Sequence, residues 1–190
     1  KRKFMILNTF PDKQDFRSQV ASGANVVPVG VTVLADTETP VTVLGRFVSG
    51  TAPLFLFESA EGGERWGRYS FMGLSHHARV SVYRDEVVVR NGIQEERLPH
   101  AGDPLATLRH LSRRYRQARA PGLPRFAGGL VGYLAYEMVH FFEPRIPNRL
   151  PAEKPLADFM IPDLNRHLLE HAQHGALTHR AVFAFKGIML

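Results

Sequence analysis

Two stretches of this 190-residue chain hold chemically capable residue types at close spacing. The first is Leu54 to Gly73, LFLFESAEGGERWGRYSFMG, where an apolar run ends in Glu58-Ser59, a Gly62-Gly63 turn follows, and a returning segment carries Arg68, Tyr69 and Ser70. Folded back on itself, this stretch sets a carboxylate, two kinds of hydroxyl and a guanidinium beside apolar walls. The set suits an amino-acid zwitterion: the carboxylate holds the ligand ammonium, while a guanidinium, hydroxyl or backbone N–H holds its carboxylate. A hairpin whose polar residues simply face water satisfies the same pattern.

The second stretch is His167-Leu168-Leu169-Glu170-His171, with His174 beyond it. On a helix, an H-x-x-E-H arrangement puts two imidazoles one turn apart on a shared zinc ion while the glutamate polarises water, the chemistry of a zinc hydrolase. In a strand the same residues carry no such implication, and His171 is then part of a strand near the end of the domain. Gly128-Gly129-Leu130-Val131-Gly132 lacks the G-x-G-x-x-G spacing and a following Lys-Ser/Thr, so close backbone packing in a sheet is the expectation there. No G-x-S-x-G occurs, and Ser59 beside Glu58 or Ser70 beside Tyr69 would point to opposite faces of a strand, which argues against a serine triad.

The elements that must position these residues are partly legible. Pro11-Asp12, with Phe16 and Val20 four apart, predicts a short helix closed by Ser22-Gly23. Val26 to Leu34 reads as extended but broken by Pro28 and Gly30, Asp36 to Pro40 as a turn, Val41 to Val48 as a β-branched strand, and Leu54 to Phe57 as a buried strand. A meander follows over Arg68–Met72, Ala78–Tyr83, Val87–Arg90 and Ile93–Leu98, with Asn91-Gly92 signalling a type I′ hairpin. Asp103 caps a helix whose apolar stripe is Leu105, Leu108, Leu111 and Tyr115 and which Pro121-Gly122 ends. Phe126 to Ala135 reads as a Gly-rich strand leading into a helical stretch, and Glu143 to Pro155 as a proline-rich loop.

Composition bounds the class. The 44% hydrophobic and 22% charged content is that of a globular protein with a sizeable core, and the absence of cysteine excludes disulfides, thiolate metal sites and a Cys nucleophile. The net charge of +6 raises nucleic acid as a partner. It is concentrated in Lys1, Arg2 and Lys3 and in Arg109, Arg113, Arg114, Arg116 and Arg119; with those eight set aside the remainder carries −2. One helix face with only Tyr115 among its arginines is a solvated face rather than a groove, so no nucleic-acid partner is expected. No apolar stretch is long and uncharged enough for a membrane span, and no membrane association is expected; a cytoplasmic location is expected.

The residues quoted above also carry a resemblance. Val27-Pro28-Val29, Leu34 to Val41 (LADTETPV), Phe55 to Gly73 (FLFESAEGGERWGRYSFMG) and Arg125 to Glu137 (RFAGGLVGYLAYE) are similar, in the same order, to the N-terminal portion of anthranilate synthase component I, of the chorismate-utilising enzyme family. The resemblance spans roughly Phe16 to Asp163. It implies an α+β fold, a layered α/β/β/α sandwich-like domain of two packed antiparallel sheets with outer helices. The implied division is residues 1–15 as an N-terminal extension and helix start, 16–165 as the regulatory domain and 166–190 as a divergent or truncated end, with the C-terminal chorismate-binding domain absent.

Function follows from the resemblance in the same conditional sense. That portion of the family binds L-tryptophan as feedback inhibitor, so Glu58 and Ser59 are expected to contact the effector, with Arg68, Tyr69 and Ser70 as further candidates. The family reaction takes chorismate and glutamine-derived ammonia to anthranilate and pyruvate, with a glutamine amidotransferase, component II, as partner. Catalytic residues and the Mg2+ site belong to the C-terminal domain, so no catalytic or metal-binding residue and no cofactor is assigned to this chain, which is expected to be inactive alone. Aminodeoxychorismate synthase component I, of folate synthesis, is the alternative within the same architecture.

Overall fold

The computed structural model describes residues 6–34, 39–46, 48, 55–58, 69–118, 128–173 and 176–186; for residues 6–8, 69 and 163–186 only the backbone is described. Strands and helices mix along the chain, and the strand pairings described below are antiparallel, an α+β fold as expected. The chain divides into two compact units, the first built from residues 1–75, 116–127 and 163–190, the second from residues 76–115 and 128–162.

In the first unit, β1 (Ile6–Phe10) pairs with β2 (Pro28–Leu34), and β2 pairs in turn with β9 (Ala176–Lys186) from Pro28↔Lys186 to Leu34↔Arg180. β2 is continuous where a break was expected. Pro28 is its first residue, where the missing N–H costs least, and Gly30 lies within the ladder opposite Phe10 on one side and Ala184 on the other. Between β1 and β2 runs α1 (Lys13–Ala21), started by Asp12, whose Oδ1 accepts from the Asp15 N–H at 2.7 Å.

Val41 to Val48, expected as a strand, instead begins with a helix, α2 (Pro40–Gly45). Local polar chemistry overrides the β-branched composition. Thr39 and Thr42 form a reciprocal capping box, with Thr42 N–H on Thr39 Oγ1 at 3.1 Å and Thr39 N–H on Thr42 Oγ1 at 2.8 Å, and Pro40 sits at the first helical position, where its fixed φ is preorganised. Val43 then packs with Val33, Met72 and Leu74 in the core of this unit. β3 (Phe55–Phe57) pairs with the start of β4 (Tyr69–Val82).

The second unit is a meander under a helix. The later part of β4 pairs with β5 (Glu86–Asn91), and β5 with β6 (Gln94–Pro99). Asn91 pairs with Gln94, so Gly92 and Ile93 form the loop, and only Gly92 has positive φ, at 57°. That sign pattern is type II′ rather than the expected type I′. The helix α3 (Pro104–Arg113) is capped by Asp103 as expected, through the Ala106 N–H at 2.9 Å. Its Leu108 and Leu111 join Ala78, Val80, Val82 and Val87 of the sheet, with Leu105 and Tyr115 at the margin. β7 (Val131–Leu134) pairs with the start of β8 (Ala157–Gln173), a 3-10 helix spans Tyr136–Phe141, and residues 143–155 are the expected loop.

Candidate functional site: the β3–β4 hairpin

The first candidate stretch folds back as its residue pattern required. Phe55 pairs with Gly73, Leu56 with Met72 and Phe57 with Phe71. Alternation along the strands divides the hairpin into two faces. Leu56 and Met72 turn inward, Met72 fully buried and Leu56 against it in the core with Val33 and Val43. Phe55 and Phe57 share the other face, their ring centroids 5.2 Å apart. The Phe55 ring lies directly over Gly73, so closely that a Cβ there would strike it. β3 is therefore not the buried strand its composition suggests: it lies at the surface with Phe57 52% exposed, its apolar run shared between an inner and an outer face.

Just past the last registered pair, Phe57↔Phe71, come Glu58 on one strand and Ser70 on the other. Glu58 is exposed and Ser70, within β4, is half-buried. The hairpin thus brings a solvent-facing carboxylate and a hydroxyl-bearing residue to the same end of two paired strands. Tyr69 opens β4, one residue from Ser70. Ser59 and Arg68, with the Gly62-Gly63 turn, lie outside the described residues.

The second candidate stretch is in β8, paired with β9 as His167↔Val182, Glu170↔His179 and His171↔Thr178. The stretch is a strand, not the helix that the alternative zinc reading needs, and four residues along a strand separate His167 from His171 by about 13 Å, too far for one metal ion. Among the described residues no group of three or more His, Asp or Glu could hold a metal ion. The glycine run behaves as expected at Gly132, whose backbone lies against the Asp158 carbonyl with no room for a Cβ.

Of the basic cluster, Arg114 makes a bidentate pair with Glu96 of β6, at 2.8 and 3.0 Å, and Arg116 donates to the Gly23 carbonyl at 2.8 Å. Arg119 lies outside the described residues. Among the described residues no helix is long and apolar enough to cross a membrane.

Sequence reasoning missed two polar arrangements in the second unit. Asp158 of β8, only 8% exposed, accepts from Arg79 Nε at 2.9 and 3.0 Å, from the same guanidinium's terminal nitrogen, and from Ser81 Oγ at 3.1 Å. The hydrogen bond to Asp158 is the main cause raising the Arg79 pKa above its ordinary value. The i, i+2 spacing of Arg79 and Ser81 signalled a shared polar face, but nothing local named a partner almost eighty residues away. The buried His100 accepts from the Gly102 N–H at Nδ1, which leaves Nε2–H to donate to the Tyr83 carbonyl, both at 3.1 Å.

Comparison with known proteins places this architecture. The chain is 37% identical to anthranilate synthase component 1 of Pseudomonas aeruginosa over 156 residues, covering 80% of the chain and 31% of that protein. This chain is a relative of anthranilate synthase component 1. Component 1 of Neisseria meningitidis is 39% identical over 133 residues, and that of Acetivibrio thermocellus 37% identical over 131 residues. These matches take in 69% and 68% of the chain and 26% of each anthranilate synthase component. The chain thus spans about a third of the length of the relatives it matches, or somewhat less. No protein-family model matches it.

Proposed function

We propose that this chain is the regulatory portion of an anthranilate synthase component 1, in tryptophan biosynthesis, and that it binds L-tryptophan as feedback inhibitor at the Glu58/Ser70 end of the β3–β4 hairpin. The observation that carries the reading is the placement of Glu58 and Ser70 at one end of two paired strands in a chain whose relatives bear that name. Glu58 takes the ligand ammonium. Ser59 and Ser70, with Arg68 and Tyr69, supply donors for its carboxylate, and the apolar residues of the hairpin flank the site. Binding acts through differential affinity for two states of the enzyme, which is all an effector needs to inhibit at a distance.

In this reading the parent reaction is chorismate plus glutamine-derived ammonia to anthranilate and pyruvate. The partner is the glutamine amidotransferase subunit, component II, and the location is cytoplasmic. Catalysis and its Mg2+ belong to the family's chorismate-binding domain, and no step is assigned to a metal held by the residues described here. The names of the relatives favour this over the aminodeoxychorismate synthase alternative.

Calorimetry tests the proposal on a polypeptide extended through the chorismate-binding domain. Saturable heat with L-tryptophan, abolished by Ser59→Arg and weakened by Glu58→Gln, is the expected result. Saturable heat that both variants leave intact overturns the site assignment, and its absence from a folded wild-type protein overturns the function.

A further inference from the structure

Within the second unit, the outer face of the β4–β5–β6 sheet carries charges in an ordered chain. Arg97 bridges Glu86 and Glu95 at 2.5 and 2.7 Å, and Glu95 also holds Arg90 at 2.7 Å. These bonds lock two guanidiniums in place on paired strands and leave each with N–H groups to spare, since a guanidinium has five. Beside them lies an open cleft of about 540 Å3, whose lining includes Arg84 and Asp85 of the β4–β5 turn and Glu153 of the 143–155 loop. Its volume is within the range of small-molecule sites.

The signs of the lining charges decide the ligand class. The lining holds Arg84, Arg90 and Arg97 together with Asp85, Glu86 and Glu153, three of each sign. A ligand with only an anionic group meets three carboxylates, and one with only a cationic group meets three guanidiniums. A ligand carrying both charges finds partners for each. The polar groups are also unequally committed. Glu86 is held by Arg97, whereas among the described residues Asp85 and Glu153 have no ion-pair partner, and Arg84 makes only a long contact, 3.4 Å, to the Leu150 carbonyl. The uncommitted groups are therefore one guanidinium and two carboxylates in the lining of the cleft.

We propose that the cleft between the Arg84-Asp85 turn and Glu153 is a binding site for a small zwitterion bearing a free ammonium and a free carboxylate, an amino acid or short peptide. Asp85 and Glu153 take the ammonium. Arg84, with the spare N–H groups of Arg90, takes the carboxylate. The ion-pair chain behind the site supplies rigidity, so little side-chain entropy is lost at Arg90 and Arg97 on binding. The proposal involves no residue of the β3–β4 hairpin and stands whether or not tryptophan binds there.

The test is a titration of the 190-residue protein at pH 7, followed by amide 1H–15N correlation spectra, with glycylglycine as the probe and acetate and methylammonium as single-charge comparators. Glycylglycine should move the amides of Arg84, Asp85, Glu86 and Glu153 saturably, and each comparator should bind at least about tenfold more weakly. Asp85→Asn, Glu153→Gln and Arg84→Gln should each weaken glycylglycine by about tenfold, the loss of one charge-assisted hydrogen bond. The three sites are exposed, and dispersed amide spectra identify the variants that keep the fold. A folded wild-type protein without saturable shifts, a response to acetate equal to that to glycylglycine, or folded variants with unchanged affinity would each overturn the proposal.

Discussion

Gly132 sits against Asp158 with no space for a side chain: a Cβ there would collide with the Asp158 carbonyl oxygen and come within 2.6 Å of the Phe159 Cα. Both obstacles are backbone, so no rotamer change relieves them. Gly132→Ala should therefore push β7 off β8 and cost about 1–3 kcal/mol, read as a lower urea midpoint. An unchanged midpoint would show that the two strands have room to separate.

The side chain of the same aspartate ties β8 to β4. Asp158→Ala would leave the buried Ser81 hydroxyl without this acceptor and release Arg79, whose side chain is 55% exposed and recovers water. The expected loss is about 1–3 kcal/mol, most of it from the buried groups rather than from the half-exposed guanidinium. A double-mutant cycle with Arg79→Ala checks the partition, with a coupling of about 1 kcal/mol expected and additivity contradicting the geometry.

What was legible in the sequence follows the range of the interaction that decides it. Asp103 followed by Pro104 carries its own cap, so the start of α3 is legible, but the helix ends at Arg113 rather than at Pro121-Gly122, and the expected strands Arg68–Met72 and Ala78–Tyr83 are one strand, β4. The β-branched composition of Val41 to Val48 points to a strand, yet the Thr39–Thr42 capping box, also present in the residues, starts a helix there. The loop after β5 turned on one residue of register, Asn91↔Gln94, which an Asn-Gly dipeptide does not specify. In the candidate site, the return of Phe71 onto Phe57 was foreseeable from the apolar runs and the intervening glycines. Exposure of Phe57 was not, because a three-residue apolar run reads the same whether one face or both are covered. The Arg79–Asp158 pair lay beyond reach for a simpler reason, since its partners come from distant strands.

Helix caps give a cleaner local test. Asp103→Ala removes the acceptor for the Ala106 N–H at the start of α3, and the expected cost is about 1 kcal/mol. Asp103→Ser should recover most of it. Thermal denaturation of the three proteins provides the comparison, and equal midpoints would mean that packing of Leu108 and Leu111 alone holds the helix start.

The Arg114–Glu96 pair predicts a modest acid sensitivity. The Arg114 hydrogen bond is the main cause holding the Glu96 carboxyl below its ordinary pKa. A carboxylate whose pKa is depressed on folding stabilises the protein above its unfolded-state value, and that contribution is lost as pH falls through the folded-state value. Both side chains are more than 40% exposed, so the contribution at neutral pH should be below about 1 kcal/mol. Accordingly, the stability gap between wild type and Arg114→Gln should be largest near neutrality and close as the solution is acidified below the usual carboxylate range. Urea denaturation across that range measures it, and a gap that widens in acid would contradict the assignment.

At the candidate site, the two described polar residues should differ in what their loss does. Glu58 is exposed and follows the end of β3, so Glu58→Gln removes charge from the hairpin end without disturbing its ladder. Ser70 lies inside β4, half-buried beside Phe71, and Ser70→Ala removes one hydroxyl while keeping the strand backbone. If the hairpin end holds a zwitterion, Glu58→Gln deletes the counter-charge for the ammonium and should weaken L-tryptophan by about tenfold or more, with unfolding unchanged within about 0.5 kcal/mol. Ser70→Ala removes one of several donors to the ligand carboxylate, which the others still hold, and should weaken binding by about tenfold or less. Calorimetry on the extended polypeptide separates the two. A larger loss for Ser70→Ala than for Glu58→Gln would place the ligand deeper along β4 and remove Glu58 from the site.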